Sequence, residues 1–326
     1  MKSREKAIIL TILTVLIFAT VMPIGLTVST NESEKPIVVC TTNVLGSIVK
    51  EIVDEDVEIV VLVNPGLCPA DYDMKPSDIW AVSHAKALFY HDIPGEKPWL
   101  ENLILASRNE DLLRVKVPGT YNTPEGAKRC IRIIGGNLSQ ILSKDLSPKI
   151  TSMLNAIDSV ANEIKNEAQS LSVENVNVIC MKWQKPFVEW VGFKVVAVYN
   201  PPETLSAEDI NSLINTARQN NVALIIDNLQ VSAEFGESIA SEVGAIHVVL
   251  TNFPGAIPGT ENLTQMFQYN ARQLFDGLIK WKIIKDLEDE TENLKTQLTI
   301  FQATTFVAAT IAVVELVLLF ARRRTR

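Results

Sequence analysis

Apolar positions along residues 36–270 alternate between two rhythms. PIVVCTT (36–42) is a short continuous run, NVLGSIVKEIV (43–53) repeats Val44, Leu45, Ile48, Val49 and Ile52 at three- and four-residue spacing, and DVEIVVLV (56–63) is continuous again. The runs predict buried strands and the periodic segment an amphipathic helix. Strand, helix and strand in that order make a βαβ unit, which requires a parallel sheet and a right-handed crossover. A short helix over PSDIWAVSHA, with Ser77 or Asp78 near its start, and a strand over KALFYH follow. TPEGAKRCIRIIGGNLSQILS then predicts a helix capped by Thr123 with Pro124 at its first position, weakened in the middle by Gly135 and Gly136.

From Ser147 to Leu171 a longer helix carries Ile150, Met153, Leu154, Ile157, Val160, Ala161, Ile164 and Ala168 on one face, with no internal proline or glycine. The alternation restarts after it with strands VNVICM, FKVVAVY, VALIID and AIHVVLT, and helices over PFVEWVG, residues 207–220 and SAEFGESIASEVG. The predicted architecture is α/β: an N-terminal parallel-sheet lobe (36–145), one long rigid linking helix (146–172) and a second parallel-sheet lobe (173–275). A helical stalk (276–298) follows. Five of the seven residues 286–292 are acidic, which keeps the stalk solvated, and Leu287 and Leu294 lie one heptad apart, the spacing of a helix that self-associates.

Both ends are too apolar for a globular domain. Residues 7–28 are nearly unbroken apolar sequence behind Lys2, Arg4 and Lys6, the layout of a signal peptide or signal anchor spanning 1–28. Residues 299–321 form a second apolar stretch, long enough at ~1.5 Å per residue to cross a bilayer as a helix. It ends in the basic tail RRRTR (322–326), which places the C-terminus in the cytoplasm and the lobes outside the cell membrane. Glu315 within that stretch is costly against lipid and needs the headgroup region, a proton or a partner helix.

Thirty lysines and arginines against 38 acids give a net charge of −8, and no basic stripe exists, so nucleic acid is not a partner. Cys40, Cys68, Cys130 and Cys180 are scattered without a disulfide framework, although outside the cytoplasm they could pair. His84, His91 and His247 share no metal-ligand spacing and read as structural. No nucleophile with a histidine base, phosphate loop or paired-acid motif suggests an enzyme. Asn31, Asn137 and Asn262 begin short glycosylation patterns.

One loop stands out. PGLCPADYDMKPSD (65–78) resembles the metal-site loop in substrate-binding proteins of zinc and manganese ABC importers: proline-glycine, a spacer, proline-histidine, an acid, tyrosine, then proline-serine-aspartate. KALFYHDIPGEKPWLENLI, TPEGAKR, VGFKVVAVYNPPETLSAEDINSLI, DNLQVS and VVLTNFPGAIPGTENLTQMFQYN extend the resemblance over residues 36–275. It implies capture of a metal ion between two lobes, with an ABC permease and its ATPase as partners. The family's ligands are three histidines and an acid. Position by position, the resemblance puts the histidines at Ala70, Gly119 and Met181, the closing aspartate at Thr251 or Asn252, and an optional glutamate near Asn228.

None of these residues is a usual zinc ligand, and Ala70 and Gly119 offer no donor at all. Cys68, Met74, Cys180 and Met181 supply soft donors that suit Cu(I). Free cysteine and methionine also fill cores, and neighbouring strand residues Cys180 and Met181 point to opposite faces. Cys68, Asp71, Asn228, Thr251 and Asn252 are the remaining cleft candidates. Asp71 and Asp73 read first as solvated loop acids or turn caps, and second as groups that hydrogen-bond a polar ligand. Two functions follow: a membrane-anchored extracytoplasmic solute-binding protein with a divergent cleft, or a ligand-free surface interaction or regulatory module built on the same fold.

Overall fold

The computed structural model describes residues 35–324 apart from Asp92. The expected signal segment, Asn31 and the last two residues of the basic tail lie outside the described residues.

Two four-stranded parallel sheets are present. In the first, β1 (Ile37–Cys40), β2 (Glu58–Val61), β3 (Ala85–Tyr90) and β4 (Leu113–Lys116) lie in the order β2-β1-β3-β4. In the second, β5 (Asn177–Met181), β6 (Lys194–Tyr199), β7 (Leu224–Asn228) and β8 (Ile246–Leu250) lie in the order β6-β5-β7-β8. The orders are equivalent, so each sheet has its switch point beside its first strand, where α/β folds open a crevice at the strands' C-terminal ends.

The first sheet is layered by α1 (Asn43–Val53), α2 (Pro76–His84), α3 (Lys97–Ser107) and α4 (Pro124–Leu142); the second by α6 (Lys185–Val191), α7 (Ala207–Gln219) and α8 (Phe235–Val243). Between them runs α5 (Ser147–Ser170), the long helix of the sequence pattern, burying Ile157, Val160, Ile164 and Ala168. One apolar core continues through both lobes, joining Val38, Ile48 and Ile131 to Val178, Phe187 and Phe267, and α5 packs against it. A smaller core lies on the outer side of each sheet.

Local chemistry explains the element ends. Thr123 Oγ1 accepts from the Gly126 amide and caps α4, as expected. Gly135 serves close approach, because a Cβ there would lie 2.4 Å from Ile150 Cδ1 on α5, whereas Gly136 faces open space. α3, with Trp99, is the helix that the resemblance of KPWLENLI implied, whereas β4 was not visible in the pattern, because it buries only Val115 of its four residues and shows no alternation.

The last helix, α9 (Leu263–Arg324), is continuous for 62 residues. Its start belongs to the second lobe, with Met266, Phe267, Ala271, Leu274, Phe275 and Leu278 buried. Beyond that it leaves the lobe. Its final part is long and apolar enough to cross a membrane, and none of that part is buried inside the protein.

Candidate functional site

The C-terminal strand ends of the two lobes meet, and the loop 64–75 lies at this junction. Its anchoring is aromatic and acidic. Trp99 Nε1 donates to Pro69 O at 2.9 Å and Gly95 O at 3.0 Å, and the Trp99 and Tyr72 rings sit 4.4 Å apart. Tyr72 donates to Asp78 Oδ2 at 2.5 Å, and the same oxygen takes the Lys75 amide at 3.0 Å, capping α2. The tyrosine, aspartate and tryptophan that make this loop look like a metal loop therefore hold its shape. Ala70 is exposed at its centre and brings no donor.

Across the junction the protein supplies its own contacts. Gln230, buried just past β7, donates from Nε2 to Pro65 O at 3.0 Å in the opposite lobe and to Thr251 Oγ1 at 2.8 Å, while its Oε1 accepts the Asn252 amide at 3.0 Å. Asn43 Nδ2 donates to Pro254 O at 2.5 Å, and Asn122 Nδ2 to Trp183 O at 2.8 Å. Gly255, at φ 74°, passes so near Asn43 that a Cβ would meet its Nδ2 at 2.8 Å. Three buried rings continue the bridge: His91 lies 4.9 Å from Tyr121, and Tyr121 stacks 6.2 Å from Phe253 of the second lobe.

The remaining positions are distributed as follows. A Cβ at Gly119 would fall 2.6 Å from Ile93 Cγ2, so a side chain there would require Ile93 to shift. Thr251 is buried and saturated: its amide and carbonyl pair with the Asn270 side chain, and its hydroxyl serves Gln230 and Phe253. Asn228 Oδ1 accepts the Gln230 amide, leaving Nδ2 unpartnered, and Asn252 Oδ1 is likewise unpartnered. Cys68 is half-buried, and desolvation, then Asp71 and Glu203, raise its thiol pKa. Asp71 is exposed.

The soft donors are not brought together, which corrects that grouping. Cys180 packs into the shared core, Met181 into the outer core on the other face of the sheet, and Met74 points to solvent. Burial also pushes the Cys180 thiol up to about 12, far from the thiolate a metal needs. All four cysteines are free.

Two buried carboxylates lie near the strand ends, and both are committed inward. Glu96 accepts from Thr41 Oγ1 and from the His91 amide at 2.9 Å. Asp227 accepts from Tyr199, from the Gly236 amide at 2.7 Å and from His247 Nε2 at 2.8 Å. His91 bonds Thr42 and Val117 O, and burial depresses its pKa to about 4, so it is neutral. Sequence reasoning passed over Glu96 and Gln230; the buried GEKPW acid was readable only as part of a helix start. No group of three or more histidine, cysteine or acidic side chains placed to hold a metal occurs among the described residues.

The two glycosylation patterns among the described residues are poorly placed as well. Asn137 lies within α4 and donates to Ile133 O, and Asn262 accepts from Thr264 and the Gln265 amide at the start of α9.

Residues 38–277 match the family model described as zinc-uptake complex component A, periplasmic. The chain belongs to this zinc-uptake family. Members are metal-binding transport proteins that work with an ABC permease and ATPase, not enzymes. Solved structures similar to this zinc-uptake family member include the periplasmic zinc-binding protein TroA of Treponema pallidum, at 18% identity and TM-score 0.67, over 75% of this chain and 99% of that one. The Mn-bound periplasmic metal-binding protein of Candidatus Liberibacter asiaticus is 16% identical with TM-score 0.66, over 75% and 100%. ZnuA is 20% identical with TM-score 0.64, over 74% and 99%. These likenesses establish the two-lobed fold. No curated protein matches the chain.

A divalent cation between the lobes needs about four oxygen, nitrogen or sulfur donors, some carrying negative charge. Apart from Asn228 Nδ2 and Asn252 Oδ1, the buried amides and hydroxyls of the junction are bonded to one another, and no set of charged donors accompanies them among the described residues. The residues present do not fit a family-type zinc or manganese site.

Proposed function

We propose that this zinc-uptake family member is an extracytoplasmic solute-binding protein, held to the cell membrane by α9, in which the inherited metal position has become a neutral latch between the lobes. The supporting observation is Gln230, whose one side chain joins Pro65 of the first lobe to Thr251 and Asn252 of the second. The exposed apolar end of α9 and the arginines after it support membrane anchoring with the lobes outside and the C-terminus inside. Its partner in transport is an ABC permease with its ATPase.

The test is metal content by mass spectrometry of the full chain purified in detergent without chelators, followed by titration with Zn(II), Mn(II) and Cu(I). The expected result is no stoichiometric metal and no metal-dependent rise in melting temperature. One bound ion per chain, surviving gel filtration, overturns the reading.

A second reading, a ligand-free surface interaction module, is favoured by one observation: Tyr121 and Phe253 fill the junction with stacked, buried rings. Recovery of the full chain with its permease distinguishes the transport reading from this one.

A further inference from the structure

We propose that α9 pairs with α9 of a second copy of this chain, in parallel and in register, along one seam that runs from the stalk into the membrane. The inference rests on the membrane-anchoring reading above.

Once α9 leaves the second lobe, a mainly apolar line runs on along it: half-buried Ile284, then exposed Leu287, Thr291, Leu294, Leu298 and Phe301, alternating at three- and four-residue spacing, the a and d positions of a heptad repeat with one threonine among them. Leu287, Leu294, Leu298 and Phe301 are 57%, 58%, 56% and 67% exposed, and between Asp286 and Gln297 the other positions of the helix are polar or charged. A lone solvated helix gains nothing from that line, whereas a partner helix buries it.

Charge selects the partner. In a parallel pair, each g position reaches the e position of the following heptad on the other helix. Those positions are Glu290 and Lys295, an opposite-charge pair on both sides of a twofold seam. Lys285 is taken by Glu288, but Glu290 and Lys295 form no ion pair within the chain among the described residues. Two copies inserted in one membrane in one orientation can pair only in parallel. A second copy therefore satisfies both the apolar line and the charges.

The same line continues through Thr305, Ala308, Ala312 and Glu315. Small side chains let two helices approach inside a bilayer. Glu315, the one charged residue of the apolar stretch, falls on the seam and so faces the partner helix instead of lipid.

The test uses the full chain in native membranes, in a Cys68→Ser background, because the other three cysteines are buried. Leu294→Cys lies on the seam and Thr296→Cys on the opposite side of the helix. Under mild oxidation, Leu294→Cys gives a covalent dimer on a non-reducing gel and Thr296→Cys does not. Adding Glu290→Lys removes the dimer, and adding Lys295→Glu as well restores it. Equal yields at both positions, or no dimer at either, overturn the pairing. Carbonate washing separates the two ideas: a chain retained in the membrane without a seam-specific dimer overturns pairing alone, and a chain released by carbonate overturns anchoring and pairing together.

Discussion

Removing the Gln230 side chain should unlatch the lobes. Gln230→Ala deletes three hydrogen bonds, to Pro65 O, Thr251 Oγ1 and the Asn252 amide. At ~0.5–1.5 kcal/mol net each, the sum is about 1.5–4.5 kcal/mol. Pro65 and Asn252 are only half-buried, so water recovers part of this, and about 2–3 kcal/mol is the expected cost. For a two-lobed unit of this size, each kcal/mol lowers the melting temperature by ~2–4 °C, giving a fall of roughly 5–10 °C. Tryptophan fluorescence during thermal melting of the full chain in detergent measures it. Gln230→Glu sharpens the test, because it keeps the shape and the acceptor for the Asn252 amide but turns an oxygen toward Pro65 O. Ionisation is then opposed in the folded state, so the folded pKa rises above the unfolded value. Stability is retained at low pH and lost as pH rises through the folded pKa. Unchanged midpoints in both variants, or a Gln230→Glu defect that deepens on acidification, would refute the latch.

Other changes test neighbouring features. Gly135→Ala should destabilise by ~1–3 kcal/mol because its Cβ would overlap Ile150, whereas Gly136→Ala, facing open space, should stabilise by up to ~1 kcal/mol through helix propensity; chemical denaturation measures both. Gly119→His should cost ~1–3 kcal/mol by pressing on Ile93, and Gly119→His with Ile93→Ala should regain much of that in the same assay. His91 has a folded pKa lowered to about 4 by burial, so the unfolded chain binds its proton first. Its contribution is complete above ~6.5 and declines as pH falls toward 4, by about 3 kcal/mol in all. His91→Asn, which can still donate to Val117 O, should flatten that part of the stability–pH curve.

The sequence made the scaffold legible because buried parallel strands and one-sided helices leave strong periodic signals; α1 and α5 follow their predicted limits almost to the residue. β4 escaped because an edge strand with one buried side chain has no pattern to read. At the junction, sequence could show what was missing, since Ala70 and Gly119 plainly cannot ligate metal. It could not show what replaced them. Gln230 meets Pro65 across 165 positions of chain, and Ile93 fills the space beside Gly119 from a separate loop. Such pairs depend on two lobes being brought face to face. Met181 and Cys180 illustrate the converse, where alternation along β5 already implied that they diverge, and both vanish into separate cores.

The unbroken run of α9 also sets a height. Roughly 20 residues separate the last buried turn at Leu278 from the apolar stretch, a post of ~30 Å at helical rise. From Leu278 to Arg324 the helix contains no proline or glycine, so it has no inexpensive place to kink. Because its first turns are part of the second lobe's core, tilting the post tilts that lobe with it. With α9 anchoring the chain as proposed, a partner that projects well above the bilayer can meet the lobes directly. One lying flush with the membrane can meet them only if the post tilts, carrying the second lobe down with it, or melts.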